Sequence, residues 1–186
     1  YIIVPFQYGV LFYFLVSMGQ TELTVWDKAG RILSMGLLCG TFGINVAHEL
    51  GHRVNKFEQF LAKALLATSL YIHFFIEHNK GHHKNVATPE DPSSARYNEP
   101  VYIFYFRTII FSYLSAWKIA NDDCRKKGKS IFSLHNEMVQ AHIVQMILVA
   151  VIYFFAGWLI CLYFIAAAFI GIALLETVNY IEHYGL

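Results

Sequence analysis

The sequence predicts an all-α fold, a multi-span integral membrane helical bundle, and three observations carry that prediction. Of its 186 residues, 56% are hydrophobic and 17% aromatic, more than a water-soluble core requires. Several apolar runs approach the roughly 20 residues that cross the hydrocarbon of a bilayer. Six of the nine histidines stand in three tight groups, each beside the end of an apolar run. The length suits a single membrane-embedded domain, residues 1–186. A net charge of +1 gives no reason to expect a nucleic-acid partner.

Taken in order, residues 2–16 and 32–47 form a first pair of predicted spans, joined by a polar turn that carries Trp26 at an interfacial position. Residues 60–76 are apolar but interrupted by Lys63 and His73, which are costly at membrane depth. This segment is therefore predicted to be interfacial or re-entrant, returning to the face it left. Residues 102–118 (YIFYFRTIIFSYLSAWK) mix aromatic and basic side chains and suit the headgroup boundary. The following NDDCRKKGKS is predicted to be a solvated loop. A second pair of spans follows at 138–155 and 158–177, with Gly157 as the turn between them. Twelve of the fourteen Lys and Arg fall between Arg53 and Lys129, so the positive-inside rule makes that middle cytoplasmic. His48 and His183 then lie near the same inner face.

Cys39, Cys124 and Cys161 are far apart and form no ligand-spaced pair. No charged n-region followed by a cleavage site marks a removable signal peptide. The first residue is Tyr1 and the last phrase is NYIEHYGL, so a fragment is expected.

The chemistry rests on the histidines. In HELGH, His48 and His52 are four residues apart, one helical turn, and can aim both rings at one point. In EHNKGHH, His78 and His82 repeat that spacing and His83 follows directly; His183 stands at the end of the last helical run. His73, His135 and His142 are isolated and expected to be packed or hydrogen-bonded. A catalytic zinc takes about three protein ligands and a water, so six imidazoles point to two metal ions. Imidazole suits zinc, copper, iron and nickel alike, which leaves the element open.

A ligating histidine usually gives its other ring N–H to a carboxylate or carbonyl. Glu49, Glu77, Asp91 and Glu176, with Asn179, are the groups expected around the ligands in that role. Glu176, Tyr180 and His183 share one helical face, while Glu90 and Glu182 suit a surface position equally well. The two prolines of VATPEDPSSAR forbid a continuing helix and favour a turn able to fold Thr88, Asp91 and Arg96 under the metals. Arg53, Lys56, Lys80 and Lys84 either attract an acidic partner or simply obey the positive-inside rule.

Together NVAHELGHRVNKF, HFFIEHNKGHHKNVATPEDPSSAR and NYIEHYGL resemble the integral-membrane alkane 1-monooxygenases, the alkane hydroxylases, within the wider membrane fatty-acid desaturase and hydroxylase group. The likeness covers nearly the whole chain. It implies a non-haem di-iron monooxygenase that hydroxylates the terminal carbon of medium- or long-chain alkanes drawn from the bilayer, using O2. Electrons are implied to come from rubredoxin and rubredoxin reductase. The iron ligands implied are His48, His52, His78, His82, His83 and His183, with no catalytic residue beyond them. The setting implied is a bacterial inner membrane with the metals on the cytoplasmic side. The family pattern has a later H-x-x-H-H cluster and further N-terminal helices, so both ends are expected to be missing and the fragment alone inactive.

The rivals are a fatty-acid desaturase or other hydroxylase of the same group, an intramembrane zinc metalloprotease with Glu49 of HELGH as base, and a metal transporter. The protease leaves EHNKGHH and His183 without a task. A transporter favours ligands along a crossing path rather than collected at one face.

Overall fold

A computed structural model describes residues 1–185. Leu186, the last residue of NYIEHYGL and of the predicted domain, lies outside the described residues. All regular structure among the described residues is helical. The chain divides into two compact units, Tyr1–Ile72 with Val144–Leu174, and His73–Ile143 with Leu175–Leu186.

The first unit begins with α1 (Ile3–Met18), a short apolar helix. Next, α2 (Val25–Leu38) starts ahead of the apolar run because Thr24 and Asp27 close a capping box: Thr24 Oγ1 accepts from Asp27 N, and Thr24 N donates to Asp27 Oδ2. Without a break, α2 passes through a wide π-type turn, Cys39–Ile44, into α3 (Asn45–Gly51). The whole run Val25–Gly51 is long and apolar enough to cross a membrane, as are α8 (Glu137–Ala156) and α9 (Trp158–Glu182). The last two are apolar all round. Phe154 and Phe155 are 80% and 89% exposed, a placement that suits hydrocarbon and not water.

Small residues let these helices approach. A Cβ on Gly36 would stand 2.6 Å from the Ile170 side chain, and one on Gly171 2.8 Å from Cys39 Cβ. Such contacts substitute for the hydrophobic drive that lipid cannot supply. Leu11, Phe14, Met35, Cys39, Ile152 and Phe164 fill the core around them.

The segment 60–76 is not one helix. α4 (Lys56–Ala67), capped by the Asn55 side chain accepting from Phe57 N, stops where Thr68 Oγ1 turns back to the Leu65 carbonyl. Leu70 then adopts a left-handed φ of +53°, and Gln145 Nε2 donates to its carbonyl at 2.6 Å. That bond helps satisfy a backbone that has left the helix.

The second unit opens with α5 (His73–Glu77), a π-type turn over His78–His82, and α6 (His83–Asn85). A loop follows to α7 (Val101–Lys126), which extends past the mixed aromatic stretch through the first residues of the expected NDDCRKKGKS loop. The reason is a stripe of mostly small residues at every fourth position, Phe104, Thr108, Ser112, Ala116, Ala120 and Cys124, all buried, which continues into that segment. The helix stops before Gly128, at φ +63°.

Candidate metal centre

The two units each present converging imidazoles. In the first, α3 places His48 and His52 one turn apart, with their Nε2 atoms 2.9 Å from each other. His48 is half-buried and His52 exposed. The Glu49 carboxylate stands 3.6 Å from His48 Nδ1, a loose contact, and its side chain is 72% exposed.

In the second unit the cluster is larger and drier. His78 and His82, both buried, stack with ring centroids 5.1 Å apart, and His83 brings its Nε2 to 3.0 Å from His78 Nε2. The His183 ring, at the end of α9, lies 4.9 Å from that of His82. The π-type turn widens the helix locally, which is where helices often carry functional residues.

Two Nε2 atoms facing each other need either a proton or a shared cation between them. Nitrogens each about 2.1 Å from one ion, at right angles, stand about 3.0 Å apart. Both His48–His52 and His78–His83 have that separation, so the donor set fits a metal ion in either unit.

Asp91 is the group that fixes a ring. Its Oδ2 accepts from His82 Nδ1 at 2.9 Å and from Ser94 Oγ, and its Oδ1 accepts from Ser93 N. Burial alone would raise the Asp91 carboxyl, but these bonds hold it below the usual carboxylate range. The same pair outweighs burial at His82 and raises that ring above its ordinary value. With Nδ1–H spent on Asp91, His82 Nε2 is left as the ligand atom.

The other groups named from the sequence take different places. Glu77 is buried and accepts from Ser115 Oγ at 3.3 Å; burial, then the Asp91 charge, pushes its carboxyl up to about 7. Glu176 is fully buried and accepts from Thr108 Oγ1 and from Asn179 Nδ2, so Asn179 orients a carboxylate. Of the turn residues, Asp91 is brought to His82, Thr88 bonds locally to the Asn85 carbonyl, and Arg96 lines a groove along α7. Tyr180 donates to the Glu99 carbonyl.

His142 accepts from Tyr113 Oη at its Nε2 and directs Nδ1 to the Met138 carbonyl, whereas His135 is exposed. His73 is buried edge-on to the Tyr113 ring, and burial holds it down at about 4, so it is neutral at ordinary pH. The three cysteines are buried and free.

Arg107 has no counterpart in the sequence reading. It forms a two-pronged pair with Glu99, at 2.6 and 2.8 Å, and also donates to the Pro92 and Ser94 carbonyls. One guanidinium thus holds the loop that carries Asp91. The available signal was a lone cation in an aromatic run, which needs a partner when half-buried.

The family model for fatty acid desaturases matches residues 29–186. The chain is 38% identical over 186 residues to an alkane 1-monooxygenase of Alcanivorax borkumensis, covering 100% of this chain and 46% of that protein. It is 42% identical over 164 residues to one of Pseudomonas aeruginosa, covering 87% of this chain and 43% of that protein. To the xylene/toluene monooxygenase hydroxylase component of Pseudomonas putida it is 30% identical over 189 residues, covering 100% of this chain and 51% of that protein. The chain spans about half the length of the curated relatives it matches. A helical membrane protein with convergent histidines, matched by the family model over most of its length, this chain belongs to the fatty acid desaturase family.

Proposed function

We propose that the chain is part of a non-haem di-iron monooxygenase that hydroxylates the terminal carbon of medium- or long-chain alkanes. The observation that carries this reading is the pair of facing Nε2 atoms in each unit, in a chain similar to alkane 1-monooxygenases along its whole length. His48, His52, His78, His82, His83 and His183 would hold two irons between them. Bound iron would supply the oxidising power that no side chain has against an unactivated C–H bond.

The chain's own residues do the rest. Apolar helices accept a substrate without a polar handle directly from the bilayer, so shape alone orients it. Asp91 holds the His82 ring in one tautomer. Arg107 pins the loop behind it, and Glu176, held by Thr108 and Asn179, is a buried acceptor at the base of the last helix. Glu77, buried and held by Ser115, would add a second carboxyl near His82, while Glu49 would contribute little to His48.

The break after α4 supports a segment at 60–76 that is interfacial or re-entrant, with the metals on the cytoplasmic side of a bacterial inner membrane. O2 is the oxidant, and rubredoxin, reduced by its reductase, would deliver electrons from that side. Family membership supports an oxygenase or desaturase over a protease built on HELGH alone.

Metal analysis of the complete protein tests the centre: iron at about two per chain supports it, whereas zinc without iron removes it. Incubation with octane, O2 and a rubredoxin system then tests the reaction. 1-Octanol is the expected product; an alkene in its place would make the enzyme a desaturase.

A further inference from the structure

A groove of about 920 Å³ runs along α7 in the second unit, and the proposed reaction makes no use of it. Its charges do not cancel. Lys80 is neutralised by Asp123 and Glu137, and Arg107 by Glu99; Asp122 faces Arg125. Among the described residues, Lys84, Arg96, Lys118 and Lys126 have no carboxylate within ion-pair distance, and the one unpaired acid in the lining is Glu90. Because Lys80 alone faces two carboxylates, four cations stand against two uncompensated acids, and the groove is net positive.

The same wall is also apolar. Arg107, Phe111, Leu114 and Lys118 recur at i, i+4, i+7 and i+11, one face of α7, with Phe111 and Leu114 about half exposed. Apolar side chains flanked by cations on one helical face suit the layer where headgroups meet acyl chains. The positive-inside rule accounts for cations in this stretch but not for their meeting in a concavity with an apolar floor.

We propose that this groove binds the phosphate headgroup of an anionic phospholipid, with Lys84, Arg96, Lys118 and Lys126 around the phosphate and Phe111 and Leu114 against the start of the acyl chains. A free phosphate would gain nothing from that floor. The bilayer supplies the ligand at high local concentration, and each cation near an anionic surface adds to the attraction.

The test uses the complete protein in mild detergent, stripped of lipid and offered phosphatidylglycerol or phosphatidylcholine, with retained lipid counted by native mass spectrometry. Preferential retention of phosphatidylglycerol is expected. The triple variant Lys84→Gln, Lys118→Gln, Lys126→Gln should lower that retention by roughly tenfold or more, while the same three positions changed to Arg should keep it. Lys28→Gln, outside the groove, should change nothing. Phe111→Ser with Leu114→Ser should weaken lipid retention and leave any binding of inorganic phosphate unaltered. Equal retention of the two lipids, or a Gln triple that binds phosphatidylglycerol as before, overturns the proposal. If the Gln triple instead loses only binding of an acidic soluble protein, the groove belongs to a protein partner and the lipid assignment fails.

Discussion

The HELGH pair and the EHNKGHH cluster share one spacing and differ in everything that surrounds it. In both, facing Nε2 atoms are about 3 Å apart, 2.9 Å at His48–His52 and 3.0 Å at His78–His83. His82, however, is locked by a fully buried Asp91 at 2.9 Å, whereas the acid beside His48 is a mostly exposed Glu49 at 3.6 Å. Spacing alone creates the chance of a chelate. Burial and a fixed carboxylate make a ring rigid before a metal binds, so His82 is organised in advance.

The comparison breaks most sharply on the ligands themselves. If the proposed di-iron centre is right, His78→Ala and His52→Ala should each cost the complete protein at least one iron, read by metal analysis, and abolish alkane oxidation. Full iron retained in either variant would remove that region from the centre.

Next in size, Asp91→Asn should weaken metal affinity by about 10- to 100-fold, while Glu49→Gln should change it by less than about twofold. Competition against a chelator reads both. Equal effects would mean that the contrast in burial does not matter.

The loop behind Asp91 adds a pH dependence. The hydrogen bond from Arg107 holds the Glu99 carboxyl below its usual range, against partial burial. A depressed carboxyl stabilises the fold above the unfolded value of about 4.3, and that contribution is lost as pH falls through the folded value. Thermal denaturation should therefore steepen its decline below about pH 4. Arg107→Gln should flatten that acid limb and lower stability at neutral pH.

The smallest effect is expected at Tyr113→Phe. Losing its bond to His142 should cost about 1 kcal/mol of stability and leave iron content unchanged. Iron loss there would bring His142 into the centre.

Much of this contrast was legible beforehand. Two histidines four residues apart on a helix must share a face, so the pairing of His48 with His52 follows from local geometry. Asp91 is legible as a candidate because it is an acid close to the second histidine group and because prolines at 89 and 92 favour a turn beside it. Arg107 is not, since its partners lie on a loop whose path depends on what else fills the space. The extent of α7 is hidden in the sequence for a related reason. NDDCRK is polar enough for a loop, yet Ala120 and Cys124 continue a buried stripe that keeps the helix going to Lys126.

The sequence by itself determined that the chain is helical, that its long runs belong in a bilayer, and which histidines stand near one another along the chain. These properties are local, because helix periodicity and transfer into hydrocarbon are set residue by residue. Only the tertiary structure decided that His183 returns to His82, that Asp91 rather than a neighbouring acid takes its Nδ1–H, and that α4 ends at Ala67. Each of those outcomes depends on which buried polar groups still need a partner once the helices have packed, and no single segment contains that information.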